Sequence, residues 1–341
     1  MRIGVICPSD IATRRFMPAL MSIPNFSFGG IGVVSTEEWE GNVDGDVSEV
    51  IQLQKKSADR IVELYGGVIF DSYNSVINSE KIDAVYIPLP PALHYKWTKK
   101  AIEAGKHVLI EKPSTTSFQE TKELIRLARK YNVALRENYM FVLHRQIDVI
   151  QEIVSKQIIG EVRQYRVAFG FPRRQQGDFR YIKSLGGGAL LDAGGYTLRY
   201  ATRLLEEKPI VMCARLNKSD NEEVDIFGSG MLTNSKGITV QLAFGMDNSY
   251  KCELEVWGSK GTVYTNRVFT APSGYLTNIT IRTNEGEEII EVEPDDTFRK
   301  SIMCFGECIY DEKIREENYI EMEVQAELVD EFIKKAKVCY V

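Results

Sequence analysis

Through residue 140, short apolar runs alternate with longer stretches whose apolar positions recur every three or four residues. Strand and helix in that alternation make a parallel, doubly wound sheet. Residues 2–7 read as the first strand and 12–21 as the helix after it. The second strand is 27–35. Within 52–65 the apolar Ala58, Ile61, Val62 and Tyr65 keep helical spacing. Residues 84–87 form a short buried strand, followed by a helix at 93–104 that Gly105 stops. The next strand, counted as the fifth, is 107–110, then comes a long helix at 118–131 and a sixth strand at 134–139. The stretch 37–55 is polar and reads as an insertion after the second strand.

Past a helix near 148–156 the texture changes. From 237 to 244 the alternation is strict, so Ile238, Val240, Leu242 and Phe244 share one face, the signature of a sheet covered on one side. The other face carries Thr239, Gln241 and Ala243, small and neutral enough to meet a second subunit, which predicts a homodimer or homotetramer. Similar strands follow at 252–257, 262–265, 278–282 and 288–292, with closing helices at 297–310 and 322–337. The expected architecture is an α/β Rossmann-type doubly wound parallel sheet plus an α+β domain with a large, mostly antiparallel open-faced sheet. The domains are expected at 1–140 (dinucleotide binding) and 141–341 (substrate binding and oligomerisation), the final helix being able to pack back on the first.

Length changes little in this picture: 341 residues fit two domains. A net charge of −6 gives no general reason to bind nucleic acid or an anionic membrane. No apolar run approaches the roughly 20 residues of a membrane span. The chain opens straight into a strand, with Asp10, Arg14 and Arg15 close behind, so a cytoplasmic location is expected. The six cysteines form no CxxC pair; Cys304 and Cys308 lie one helical turn apart, which fits a buried helical face better than a metal site. His94, His107 and His144 have no ligand-like spacing, and no metal is expected.

Three stretches could carry chemistry. The first is Gly4-Val-Ile-Cys-Pro-Ser-Asp-Ile-Ala12, a strand, a turn and a helix N-terminus, where a pyrophosphate docks on backbone N–H groups. It lacks the three-glycine fingerprint, and an ordinary strand-to-helix turn would look the same. The second is Glu111-Lys112-Pro113, placed where ligands bind beyond the carboxyl ends of parallel strands. Pro113 restricts the backbone around Lys112, although a solvated loop lysine is the ordinary alternative. The third is Gly186-Gly-Gly-Ala-Leu-Leu-Asp-Ala-Gly-Gly-Tyr196, with Asp192 and Tyr196 one helical turn apart. Gly194 and Gly195 within that helix each cost about 1 kcal/mol relative to alanine. Close contact with a cofactor or the other domain would compensate, as would tight packing around a buried tyrosine.

Together these stretches, with Val85-Tyr-Ile-Pro-Leu-Pro-Pro-Ala-Leu-His94 between them, resemble the glucose–fructose oxidoreductase / inositol dehydrogenase (GFO/IDH/MocA) family. The joining segments Gly160-Glu-Val-Arg163 and Phe169-Gly-Phe-Pro172 match as well. Residues Glu255-Val-Trp-Gly-Ser-Lys-Gly261, Val268-Phe-Thr-Ala-Pro272 and Pro294-Asp-Asp-Thr-Phe298 look most like the sugar-nucleotide 3-ketoreductases within it. The resemblance implies that Lys112 is the catalytic lysine, that Tyr196 stands where many members have histidine, and that Asp192 touches substrate or orients Tyr196. It implies cofactor contacts at Gly4, Cys7, Ser9, Asp10, Ile11, Pro88, Leu89, Pro90, His94, Glu111 and Lys112. Cys7 and Pro8 in place of glycine, Pro91 in place of asparagine, and the stretch 37–55 depart from the family's pattern.

An acidic residue ending the second strand would bind a ribose 2′-hydroxyl and repel a 2′-phosphate. Ser35 and Thr36 lack that charge, and Arg14, Arg15, Lys55 and Lys56 are possible neighbours, so NADP is expected; NAD follows if the strand runs on to Glu37 or Glu38. The expected reaction moves hydride between nicotinamide and the carbonyl or hydroxyl of a sugar, the resemblance implying a nucleotide-linked one. Arg173, Arg174, Arg180 and Lys183 are the basic residues available to its diphosphate, or simply a solvated loop. The alternatives are a dehydrogenase of free sugars, inositols or dihydrodiols, and a silent dinucleotide-binding sensor.

Overall fold

The computed structural model describes residues 1–40, 47–175 and 177–340. Residues 41–46, within the polar stretch expected to be an insertion, lie outside the described residues. The chain divides into two units, Met1–Asn138 with Phe298–Glu323, and Tyr139–Thr297 with Val324–Val341.

The first unit runs β1 (Arg2–Val5), a π turn (Ala12–Phe16) continued by α1 (Met17–Met21), β2 (Ser27–Gly32), α2 (Val47–Tyr65), β3 (Val68–Phe70), α3 (Tyr73–Ile77), β4 (Ala84–Ile87), α4 (Pro91–Glu103), β5 (His107–Ile110), α5 (Phe118–Tyr131) and β6 (Leu135–Glu137). Its six strands pair in parallel in the order β3-β2-β1-β4-β5-β6. All of β4 is buried, which is why its sequence is an unbroken apolar run rather than an alternation. Local signals set the helix ends: Ser117 accepts from Glu120 N at the start of α5, and Asn132 turns left-handed (φ 53°) at its end. Tyr319 and Met322, from the returning segment, complete the apolar core.

Several boundaries differ from expectation by a few residues, and two short elements were not expected. β2 stops at Gly32, because Ser35 opens a 3-10 turn (Thr36–Glu38) closed by a reciprocal capping box with Glu38. α2 begins at Val47 rather than 52. β3 and α3, three and five residues long, were too short to show a period.

The second unit contains α6 (Arg145–Ser155), β7 (Val162–Gly170), α7 (Gly195–Leu205), β8 (Ile210–Lys218), β9 (Asp225–Thr233), β10 (Thr239–Gly245), β11 (Lys251–Gly258), β12 (Gly261–Thr265), β13 (Thr277–Thr283) and β14 (Gly286–Val292). Nearly all of α8 (Thr297–Tyr310) and the first half of α9 (Glu312–Lys335) belong to the first unit, and the rest of α9 and β15 (Ala336–Tyr340) close the second. Nine strands form one sheet, β14-β13-β12-β11-β7-β10-β9-β8-β15, antiparallel except for the pairs β7/β10 and β8/β15. Along β10, Val240, Leu242 and Phe244 are buried while Gln241 and Ala243 are exposed, as the alternation requires. The expected helix at 322–337 is corrected at both ends. It starts at Glu312, and 336–340 is a strand, because pairing with β8 satisfies its backbone groups. β7, β8 and β9 were not foreseen. Among the described residues no helix is long and apolar enough to cross a membrane.

Candidate active site

In the first unit, β1 delivers the chain to Ser9, whose hydroxyl accepts from Ala12 N at 3.2 Å and whose carbonyl accepts from Thr13 N at 3.0 Å. The N–H groups of Asp10 and Ile11 have no protein acceptor among the described residues, so the helix start presents two open donors. The Asp10 carboxylate is engaged by Arg14 Nε at 2.7 and 2.8 Å. Gly4 serves packing: a Cβ there would lie 2.6 Å from Val76 Cγ1. Burial pushes the Cys7 thiol up to about 11, so it stays protonated and inert.

Beyond β2, the Glu38 side chain turns inward. It accepts from Tyr73 N at 2.8 Å, Asn74 N at 2.9 Å, Asn74 Nδ2 at 2.6 Å and Ser35 N at 3.3 Å. With its oxygens committed to the start of α3, Glu38 is not available to a ribose. Glu37 is exposed, and its own backbone N–H and the Ser35 hydroxyl hold its carboxyl below the usual range. Ser35 and Thr36 lie in the same turn.

After β4, Pro88, Leu89 and Pro90 lead into α4, where His94 is fully buried. Its Nδ1 lies 2.7 Å from the Pro113 carbonyl and its Nε2 2.7 Å from the Leu89 carbonyl. The neutral ring donates its one N–H to one of these carbonyls while its other nitrogen faces the second, so no ring nitrogen is left for a ligand. Burial outweighs both carbonyls and brings its pKa down to about 4. The Lys112–Pro113 peptide is cis, and Ser114 N donates to Glu137 Oε1 at 2.6 Å. Glu111 Oε1 accepts from Tyr86 Oη at 2.7 Å and Asn138 Nδ2 at 2.6 Å, and Asn138 Oδ1 accepts from Ser301 Oγ at 2.7 Å. Burial raises the Glu111 carboxyl. Tyr86 stacks on Phe16 at 3.8 Å, so Glu111, next to Lys112, is braced from several elements. Asn138 and Ser301 gave no signal in the sequence, being ordinary polar residues until the fold brings them to Glu111.

In the second unit, the glycine run is a tight turn. Gly186 (φ 78°) and Gly188 (φ 123°) are left-handed, and a Cβ on Gly187 would lie 2.4 Å from the Arg180 carbonyl. Arg180 Nε donates to Asp192 Oδ2 at 2.7 Å, while Nη1 reaches Asp178 at 3.1 and 3.2 Å. Burial works against its charge, yet the two carboxylates hold it above its ordinary pKa. Arg173 pairs with Glu222 and with Asp247. Arg174 lies over the Phe171 ring at 5.2 Å.

Asp192 belongs to a π turn (Leu190–Gly194) and Tyr196 to α7, so their four-residue spacing spans a change of helix type rather than one regular face. Tyr196 is 7% exposed, with the rings of Phe169, Tyr139, Phe141 and Phe269 at 5.1, 5.4, 5.5 and 5.9 Å. Of the two accounts given for the helical glycines, the contacts within this unit support tight packing. A Cβ on Gly194 would lie 2.9 Å from Leu190 and 3.2 Å from Phe244, and one on Gly195 2.2 Å from the Tyr139 hydroxyl. Packing within this unit suffices. Gln325 Nε2 then links Tyr139 Oη at 3.3 Å and the Gly195 carbonyl at 2.9 Å.

The model for the oxidoreductase family with an NAD-binding Rossmann fold (GFO/IDH/MocA) matches residues 25–139, and that for the GFO/IDH/MocA C-terminal domain matches 147–264. A dTDP-3,4-didehydro-2,6-dideoxy-alpha-D-glucose 3-reductase from Actinomadura kijaniata is 35% identical over 308 residues, 90% of this chain and 87% of that protein. The Streptomyces antibioticus protein of the same name is 30% identical over 339 residues, 99% and 98% of the two chains. The crystal structure of KijD10, a 3-ketoreductase from Actinomadura kijaniata in complex with NADP and TDP-benzene, is similar with a TM-score of 0.90. It is 34% identical, and the match covers 100% of this chain and 99% of that one. Fold, motifs and relatives agree, and the chain belongs to the GFO/IDH/MocA family of oxidoreductases.

Proposed function

We propose that this chain is an NADP-dependent 3-ketoreductase of a nucleotide-linked deoxysugar, its first unit holding the cofactor and its second the sugar. The observation that carries this reading is the likeness, along the whole chain, to KijD10 and its named relatives. The residues present fit a phosphorylated dinucleotide. Asp10 and Ile11 offer open N–H groups at a helix start, where a diphosphate is stabilised. The inward turn of Glu38 removes one carboxylate from the end of β2, where the exposed Thr36 hydroxyl tolerates a 2′-phosphate.

The bound dinucleotide supplies the hydride. Tyr196 donates a proton to the oxygen of the carbonyl being reduced. A free tyrosine ionises more readily beside a cation, and that part is assigned to Lys112. Lys112 also gives a hydrogen bond, not a proton, to the same oxygen as charge develops on it. Asp192, fixed by Arg180, receives a sugar hydroxyl and orients the ring. Arg173 and Arg180, balanced by carboxylates, shape the loop, while Arg174 and Lys183 border the substrate. Exposed Gln241 and Ala243 on the open sheet face support a homodimer or homotetramer, and we place the enzyme in the cytoplasm.

Purified protein is to be assayed with NADPH and NADH against a dTDP-linked 3-keto-deoxysugar and unlinked sugars, with light scattering for its mass. NADPH-dependent reduction of the linked substrate is the expected result. Turnover of unlinked sugars alone would overturn the substrate assignment, faster NADH turnover the cofactor assignment, and a monomer at micromolar concentration the assembly.

A further inference from the structure

A nucleotide-linked sugar carries a diphosphate, which proteins meet with a guanidinium. Two of the four basic residues before the glycine run, Arg173 and Arg180, already have their charge balanced by carboxylates. Arg267 has tyrosines where those have carboxylates. Its guanidinium lies 4.6 Å from the centre of the Tyr250 ring and 5.5 Å from that of Tyr275. Nη1 donates to the Tyr250 hydroxyl at 2.6 Å, and that hydroxyl is 2.8 Å from Thr270 Oγ1. No carboxylate among the described residues pairs with it. Aromatic faces hold a cation in place without neutralising it.

The surroundings are built to keep that cation still and reachable. Arg267's carbonyl accepts from Nε2 of the fully buried Gln146 at 3.0 Å, which pins the backbone. The two tyrosines are 42% and 38% exposed, so the clamp opens to solvent. Phe269 follows two residues on, at most about 7 Å of backbone away, with its ring 5.9 Å from that of Tyr196. The backbone that carries this cation is therefore close along the chain to Phe269, one of the rings packed around Tyr196.

We propose that Arg267, clamped between Tyr250 and Tyr275, anchors the diphosphate of the sugar nucleotide. This rests on the nucleotide-sugar reading, and the test separates the two. Binding of TDP and of thymidine is measured by calorimetry on the NADPH-loaded full chain. Wild type binds TDP more tightly than thymidine. Arg267→Met lowers TDP affinity about 10- to 100-fold and leaves thymidine within about twofold, so the advantage of TDP collapses. KM for the nucleotide sugar rises in proportion, while kcat stays within about threefold. Arg267→Lys recovers part of the loss, and Tyr250→Phe, which keeps the ring, weakens TDP by about three- to fivefold. An unchanged preference in Arg267→Met, or equal loss of both ligands, would overturn the anchor while leaving the substrate class standing. A wild type that binds neither ligand sinks the nucleotide-sugar reading and this inference with it.

Discussion

Consider replacing Gly195 by alanine. Inside a helix, alanine is better than glycine by about 1 kcal/mol, so local propensity alone predicts a gain. The new Cβ, however, would stand 2.2 Å from the Tyr139 hydroxyl, far inside contact distance. That hydroxyl cannot swing aside cheaply: Tyr139 is 4% exposed, bonded to Gln325 and set edge-on against Tyr196. Overpacking a well-filled site costs about 1–3 kcal/mol, and displacing the ring also loses a hydrogen bond of about 1 kcal/mol. Gly195→Ala is therefore expected to be destabilised by about 1–3 kcal/mol net, and to lose activity as Tyr196 shifts. Tyr139→Phe removes the clashing atom and leaves Cζ, 3.4 Å from the same Cβ, an ordinary contact. In the double variant the penalty should vanish, a coupling of about 2 kcal/mol in its favour. Urea unfolding of the four proteins, with kcat on each, measures this. A Gly195→Ala protein as stable as wild type, or a double variant no better than the sum of the singles, refutes the packing account.

Tyr196→Phe should lower kcat by about 10²–10⁴ with NADPH affinity unchanged, and Lys112→Ala by at least as much. The two together should be no worse than the poorer single; full additivity would mean that they act independently. Thr36→Asp is expected to weaken NADPH at least tenfold while sparing NADH, because a carboxylate repels the 2′-phosphate, and equal loss of both in calorimetry would move the phosphate site elsewhere. His94 is held at about 4, below the ordinary 6.5. Its contribution is thus fully present above pH 6.5 and is lost as pH falls toward 4, because the unfolded chain takes the proton first. That loss amounts to about 3 kcal/mol. Urea midpoints at pH 7 and 5 should fall less for His94→Gln than for wild type, and parallel falls would contradict the assignment.

Some repetitive elements with one buried face were legible, although β7 and β8, which also bury one face, were missed. The alternation in 237–244 translated directly into β10. β9 was hidden by Gly228 and Gly230, residues that weaken a strand locally. They are there because Phe244 and Phe332 occupy the space: a Cβ would lie 2.5 Å from Phe244 Cζ at the first and 2.6 Å from Phe332 Cε2 at the second. No window on the chain contains that information. The motif residues were legible as positions, but not in their partners. Glu38 looked like a possible ribose ligand until its carboxylate met the N–H groups of Tyr73 and Asn74, some 35 residues away. Arg180 looked like a phosphate anchor until it met Asp178 and Asp192. Arg267 drew no notice because nothing in its neighbourhood says that two tyrosines will enclose it.

The pairing of β15 with β8 has a consequence for how the protein is made. Ala336 lies beside Ala214, about 120 residues earlier in the chain. At 5–20 residues per second, a ribosome takes roughly 6–24 s to bridge that gap. Throughout it, one side of β8 is a row of unsatisfied N–H and C=O groups, an open template for another chain. Nascent molecules crowded on one messenger are thus most prone to stick together while the sheet waits for its ninth strand. Holding chaperones, slower initiation or a lower temperature would relieve that interval, with no bearing on how stable the finished protein is.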